Sequence, residues 1–274
     1  MKNILLLCLF LCGSSFYLSA QEMKSSVSPL IIGEVHTLHS EILGEDRVLN
    51  IYAPPDYNPN IKYPVIYLLD GSMNEDFLHI TGLAQFFNLM YKMPQAILVG
   101  ISNVDRKRDF TFHTELKDLQ TKYPTTGHSD LFINFLEKEL LPYIAGHFST
   151  SSDRYLIGQS LGGLLGSEVL LKKPQLFTHY LLVSPSLWWD NESLLKKAPE
   201  LLKQLKTTPP KYIYISVGAG EPNIMIREAK KLSDLIRKET GVKTTYNMIK
   251  NVNHATILHQ SIYAALEELF PYKE

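Results

Sequence analysis

From Tyr63 onward the chain repeats one pattern, a short unbroken apolar run followed by a longer amphipathic stretch. The runs occupy 63–69, 95–101, 154–158, 179–184, 211–217 and 244–250. A segment such as Val65-Ile66-Tyr67-Leu68-Leu69 shows no polar alternation, so a strand made from it must be covered on both faces. Helical periodicity fills the intervals at 74–91, 129–145, 161–172, 192–205, 224–240 and 255–269. The pattern predicts an α/β fold with a mostly parallel central sheet and helices on both faces. Ahead of it, 31–39 and 46–52 alternate around Gly44 and predict an antiparallel hairpin, ended by Pro54, Pro55 and Pro59. The stretch 102–128 reads as a long connection. With no internal repeat and no linker composition, one domain over 21–274 is expected.

In such a sheet the functional groups gather beyond the carboxyl ends of the strands, so the residue after each run carries the most information. After 154–158 comes Gly158-Gln159-Ser160-Leu161-Gly162-Gly163, a serine between a strand and a helix with glycine two before and two after it. A serine on so tight a turn is strained but stands clear of the sheet. Side chains at 158 and 162 are expected to collide with the neighbouring strand and helix, and the Leu161 amide to face a developing oxyanion. After 63–69 comes Asp70-Gly71-Ser72-Met73, where the amide of Ser72 or Met73 is the expected second oxyanion donor. Gly218-Ala219-Gly220-Glu221-Pro222 offers Glu221 as the acid that orients a histidine, with Asp190, after the preceding strand, as its rival. After the last run comes His254, in the order Ser, acid, His of a nucleophilic triad. The other histidines have no such place: His36 and His39 lack companions for a metal, and no metal site or cofactor is expected. Trp188 and Trp189, beyond a strand end, are candidate substrate walls. In the Arg106-Lys107-Arg108 cluster, Arg108 is a candidate contact for an acidic substrate, against a structural ion pair or a solvated cluster.

The formal net charge of −1 and the absence of a basic stretch argue against nucleic acid or an anionic membrane surface as partner. Lys2, the apolar run Ile4 to Leu11 and the small residues up to Ala20 read as a signal peptide over 1–20. The expectation is a periplasmic or secreted protein with no stable membrane insertion. Lipid anchoring through Cys12 is disfavoured by the bulky Leu11. Both cysteines, Cys8 and Cys12, fall in this segment, so the processed chain would hold no disulfide and no thiol nucleophile.

Taken together, Tyr67-Leu68-Leu69-Asp70-Gly71, Val99-Gly100-Ile101 with Arg106 to Thr111, Leu141-Pro142-Tyr143-Ile144, Ile157 to Gly163 and Ser184 to Trp189 resemble a branch of the α/β-hydrolase esterases. That branch holds esterase D-type enzymes, feruloyl and acetylxylan esterases, enterochelin-type siderophore esterases and mycolyl transferases. The likeness covers roughly residues 37–270. It implies the α/β-hydrolase fold, Ser160 as nucleophile, His254 as base, Glu221 as acid and no cofactor. It leaves open a Ser–His pair working without an acid, as in some siderophore esterases. The implied substrate is a small-molecule or oligosaccharide ester, either a carbohydrate-linked acyl ester or a siderophore ester; a negatively charged catecholate would suit the arginines. Acyl transfer to another alcohol, or a non-catalytic module binding a glycan or siderophore at Trp188 and Trp189, are the competing readings.

Overall fold

Among the described residues of the computed structural model, eight strands form one sheet in the order β1-β2-β4-β3-β5-β6-β7-β8. They are β1 (Glu34–Ser40), β2 (Glu45–Tyr52), β3 (Tyr63–Leu68), β4 (Ile97–Ile101), β5 (Thr150–Gln159), β6 (His179–Val183), β7 (Tyr212–Gly218) and β8 (Thr244–Ile249). The structure describes residues 26–206 and 209–271. The expected signal segment 1–20, with Cys8 and Cys12, lies outside the described residues. Contacts group Ile32–Glu274 into a compact unit.

β1 and β2 form the predicted antiparallel hairpin, with Gly44 at positive φ in the turn, and β2 pairs antiparallel with β4. All other pairings are parallel. This is the α/β-hydrolase fold, with β5 and its carboxyl end near the middle of the sheet.

Strand side chains alternate between two cores. From β3, Val65 and Tyr67 point to one and Ile66 and Leu68 to the other. The first core packs under α4 (Ser129–Phe135), α6 (Leu161–Lys172), α7 (Trp189–Leu201) and α8 (Asn223–Thr240), through Phe132, Leu164, Leu195 and Leu232. The second packs under α1 (Phe77–Leu89) and α9 (Ile257–Leu269), through Phe77, Ile80, Ile257 and Ile262. Each such side chain, fully buried, contributes about 1.5–3 kcal/mol. Among the described residues, no helix is long and apolar enough to cross a membrane.

Three segments depart from the sequence expectation. The connection 102–128 contains two short helices, α2 (Arg106–Phe110) and α3 (Lys117–Lys122). Asp105 caps α2 by accepting from the amides of Lys107 and Arg108, at 3.1 and 3.0 Å. The expected helix 129–145 is α4, a π-helical turn at Leu136–Leu140, and α5 (Leu141–His147). Pro142 has no N–H for the carbonyl one turn back, which accounts for the widened turn ahead of it. The helix expected at 192–205 begins at Trp189 but is interrupted by Asp190, Asn191 and Glu192, all three in left-handed backbone.

Candidate active site

Ser160 sits between β5 and α6 with φ +59° and ψ −119°, backbone strained by about 1–3 kcal/mol. Hydrogen bonds hold the turn in place: the Ser160 amide donates to Val183 O on β6 at 3.0 Å, and the Ser186 amide donates to Ser160 O at 3.0 Å. A Cβ at Gly158 would sit 2.4 Å from Gly162 O, and one at Gly163 would sit 2.9 Å from Pro185 Cα. At Gly162 the nearest atom would be Asp70 Oδ2 at 3.3 Å, a tight contact that a side chain can relieve. The steric demand expected at 158 and 162 therefore falls on 158 and 163.

His254, in the loop between β8 and α9, bridges the other two residues. Its Nε2 lies 2.9 Å from Ser160 Oγ, and its Nδ1 lies 2.9 Å from Glu221 Oε2. Glu221 follows β7 and is nearly buried. Its other oxygen accepts from the Gly218 amide at 2.8 Å and from the Ser184 hydroxyl. Burial pushes this carboxyl up, but the hydrogen bonds from His254, Ser184 and Gly218 outweigh it and hold the group below its ordinary value. An ionised acid here keeps a proton on Nδ1 and so leaves Nε2 free to accept the serine proton. Asp190 makes no such contact; its Oδ1 accepts from Thr114 Oγ1 at 2.7 Å.

Leu161 opens α6, so its amide belongs to the first turn, where N–H groups have no acceptor within the helix. In the β3 loop the Gly71 amide is taken by Ile101 O at 3.0 Å. The Ser72 amide meets only the exposed Glu75 carboxylate, at 3.4 Å, a contact that a substrate oxygen can replace. Ser72 and Met73 thus stay at the loop position expected for the second donor.

A family model described as "Putative esterase" matches residues 40–260. The chain belongs to that family. The esterase is 28% identical over 249 residues to the ferri-bacillibactin esterase BesA of Bacillus subtilis, covering 81% of this chain and 84% of the relative. Among solved structures it resembles the BES protein of Bacillus cereus, with a TM-score of 0.80 and 26% identity over 91% of this chain and 100% of the other. An IroE-like serine hydrolase of Shewanella oneidensis gives a TM-score of 0.74 and 30% identity, over 87% and 80% of the two chains. Family and relatives agree on a hydrolase that acts on esters.

Two expected substrate contacts do not hold in this esterase. Trp189 is fully buried, and its indole N–H donates to Phe112 O at 2.9 Å, so it belongs to the core and cannot wall a cleft. Trp188 is half-buried and lines a separate hollow with Leu116, Lys117 and Asn191. The Arg108 guanidinium binds both oxygens of Glu45, at 2.5 and 3.0 Å, and Asp109 Oδ1 at 2.8 Å. Its charge is matched by Glu45 and Asp109, which makes it a structural cation. Arg106 is committed in the same way, to Asp70 at 2.6 and 2.8 Å.

The sequence reading also passed over residues that support the site. Ser184, buried and strained at φ +44°, holds the acid, and Ser186 places its hydroxyl 3.5 Å from that of Ser160. Both lie just past the end of β6, so the rule that found Glu221 and His254 also pointed here. Gln159 steadies the histidine loop by donating to His254 O at 2.5 Å.

Proposed function

We propose that this chain is an exported serine esterase that cleaves siderophore esters through Ser160, His254 and Glu221. The observation that carries the reading is the unbroken contact from Glu221 Oε2 through both ring nitrogens of His254 to Ser160 Oγ, 2.9 Å at each step. Siderophore substrates are supported by the relatives, among them BesA and a siderophore triacetylfusarinine C esterase of Aspergillus fumigatus. Export is supported by the residue pattern of 1–20.

In this mechanism His254 Nε2 takes the Ser160 proton as Oγ bonds to the ester carbonyl carbon. The carbonyl oxygen becomes an oxyanion facing the amides of Leu161 and Ser72, where one lost donor typically lowers turnover about 10²–10³-fold. Glu221 keeps the ring oriented and stabilises the imidazolium. The carbon–oxygen bond to the leaving alcohol then breaks, the alcohol receives the proton from Nε2, and an acyl-Ser160 remains. Water, deprotonated by the same nitrogen, attacks the acyl carbon; the bond to Ser160 Oγ breaks, Oγ takes the proton back from Nε2, and the acid is released.

The test is hydrolysis of a p-nitrophenyl ester and of a panel of siderophore esters by the wild-type protein and Ser160→Ala. The reading predicts turnover of both classes by the wild type and none above background by the variant. Equal rates in the two proteins overturn the serine mechanism. Turnover of the p-nitrophenyl ester with every siderophore ester untouched overturns the substrate.

A further inference from the structure

Helix α1 lies on the surface, yet residues 77–91 contain no Asp, Glu, Lys or Arg. Its buried stripe is Phe77, Ile80, Thr81, Ala84 and Phe87. The opposite stripe, at 78, 82, 85, 86 and 89, is exposed and holds Leu78, Phe86 and Leu89, with Gly82 and Gln85 between them. Another outer helix, α8, shows what such a stripe ordinarily carries: Lys230, Lys231, Asp234 and Lys238. On the other helices, exposed large apolar side chains among the described residues stand singly, as Leu131 does on α4 and Ile224 on α8. A row of them is a different matter, because monomers rarely leave contiguous apolar surface in water.

The row has a counterpart beside it. Leu83 of α1, Met248 and Ile249 of β8, and Tyr263 and Ala264 of α9 line a hollow of about 930 Å³. Phe86 and Tyr263 join ridge to hollow, their ring centroids 6.3 Å apart. One face thus carries both a projecting apolar ridge and an apolar recess. Leu78, Phe86, Leu89, Met90, Met248 and Tyr263 are each 37–63% exposed, and Tyr91, just past the helix, is 98% exposed. A large side chain so placed leaves on the order of 100 Å² in water, so the face offers roughly 700–800 Å², about what one partner buries in a standard interface. Charge is sparse here: Lys92 pairs with Glu267 at 3.4 Å, and among the described residues lining the hollow Lys250 is the one Lys, Arg, Asp or Glu.

We infer that this face joins two copies of the chain across a two-fold axis, with the α1 ridge of each seated in the hollow of the other. A second copy is the occupant that the face itself specifies. Ridge and recess side by side on one surface are matched by a two-fold, under which residue i meets j and j meets i. Without charge on the ridge, a like surface meets it free of repulsion and buries no unpaired ion there. Ser160 and His254 line a different cleft, and the assembly does not rest on the esterase reading.

The experiment is sedimentation equilibrium of the wild-type protein from about 0.5 to about 100 µM, where the mass of two chains is expected at the upper end. The double variant Phe86→Glu/Leu89→Glu sets two carboxylates against the partner's recess and should weaken the dimer at least about 100-fold. Leu131→Glu on α4 should leave the dimer unchanged, and circular dichroism should match the wild type in both variants. Hydroxyl-radical footprinting of the wild type needs no variant: Phe86, Met90 and Tyr263 should be protected at about 100 µM relative to about 0.5 µM. The mass of one chain throughout, a dimer that the double variant leaves intact, or protection confined to another face would overturn the inference. So would a monomeric wild type that binds phosphatidylcholine vesicles, since the face would then be a lipid contact.

Discussion

Two buried glutamates, one at the catalytic rim and one where α7 meets α8, have opposite fates. Glu221 is nearly buried, yet its carboxyl is held below the ordinary value because His254, Ser184 and the Gly218 amide all contact it. Glu228 is fully buried beside Glu192, and burial with that neighbour pushes it up to about 7. Its Oε1 is 3.3 Å from Arg227 Nη2 and its Oε2 finds no partner, while Arg227 makes its closer contact, 2.5 Å, with Glu192. The difference teaches that depth alone does not decide whether a carboxylate keeps its charge. The donors arranged around it do.

The contrast is breakable at each end. The largest effect is expected for Glu221→Gln, which keeps the shape but removes the charge that fixes the His254 tautomer. The kcat should fall about 10³–10⁴-fold with the fold intact by circular dichroism, and near-normal turnover would point to a Ser160–His254 pair acting alone. Ser184→Gly removes one donor to the acid while placing glycine where φ is +44°. It should lower kcat/KM about tenfold without lowering Tm, because a less supported Glu221 orients His254 less well. Loss of activity with a matching loss of Tm would make Ser184 structural only.

Glu228 predicts a stability effect of the other sign. Its raised value means that the folded protein keeps a proton that the unfolded chain releases between about pH 4.5 and 7. This group therefore lowers stability as pH rises through that window, with the full penalty above about 7. Glu228→Gln should stabilise the protein by about 1–3 kcal/mol near pH 8 and by little near pH 4.5, read from urea unfolding at both. A gain that is equal at the two pH values would mean that burial of this charge is not the cause. Asp190→Asn should change least, within about twofold in kcat/KM, since Asp190 only accepts from Thr114. A collapse there would transfer the role of acid from Glu221 to Asp190.

The parts of this architecture that the sequence made legible are those with a strong local signal. Val65 to Leu69 and Ile213 to Val217 announce buried strands because both their faces are apolar, and Ser160, Glu221 and His254 each follow such a run directly. The short helices α2 and α3 carry no usable period over five or six residues, and the π turn before Pro142 depends on one missing N–H. Trp188 and Trp189 were indistinguishable as text, since composition cannot tell which of two adjacent aromatics turns inward. The salt bridges from Arg106 to Asp70 and from Arg108 to Glu45 join residues 36 and 63 positions apart, so only the fold reveals that these cations are already matched. Three successive left-handed residues at Asp190 to Glu192 had no warning beyond the tolerance of Asp and Asn for that region.

The most direct test of the central claim is covalent: treatment with a fluorophosphonate, followed by peptide mass spectrometry of the wild type and of His254→Ala. The account predicts one adduct, on the Ser160 side chain, forming rapidly in the wild type and far more slowly without the imidazole. An adduct on another serine, or labelling of Ser160 at the same rate in both proteins, would contradict it.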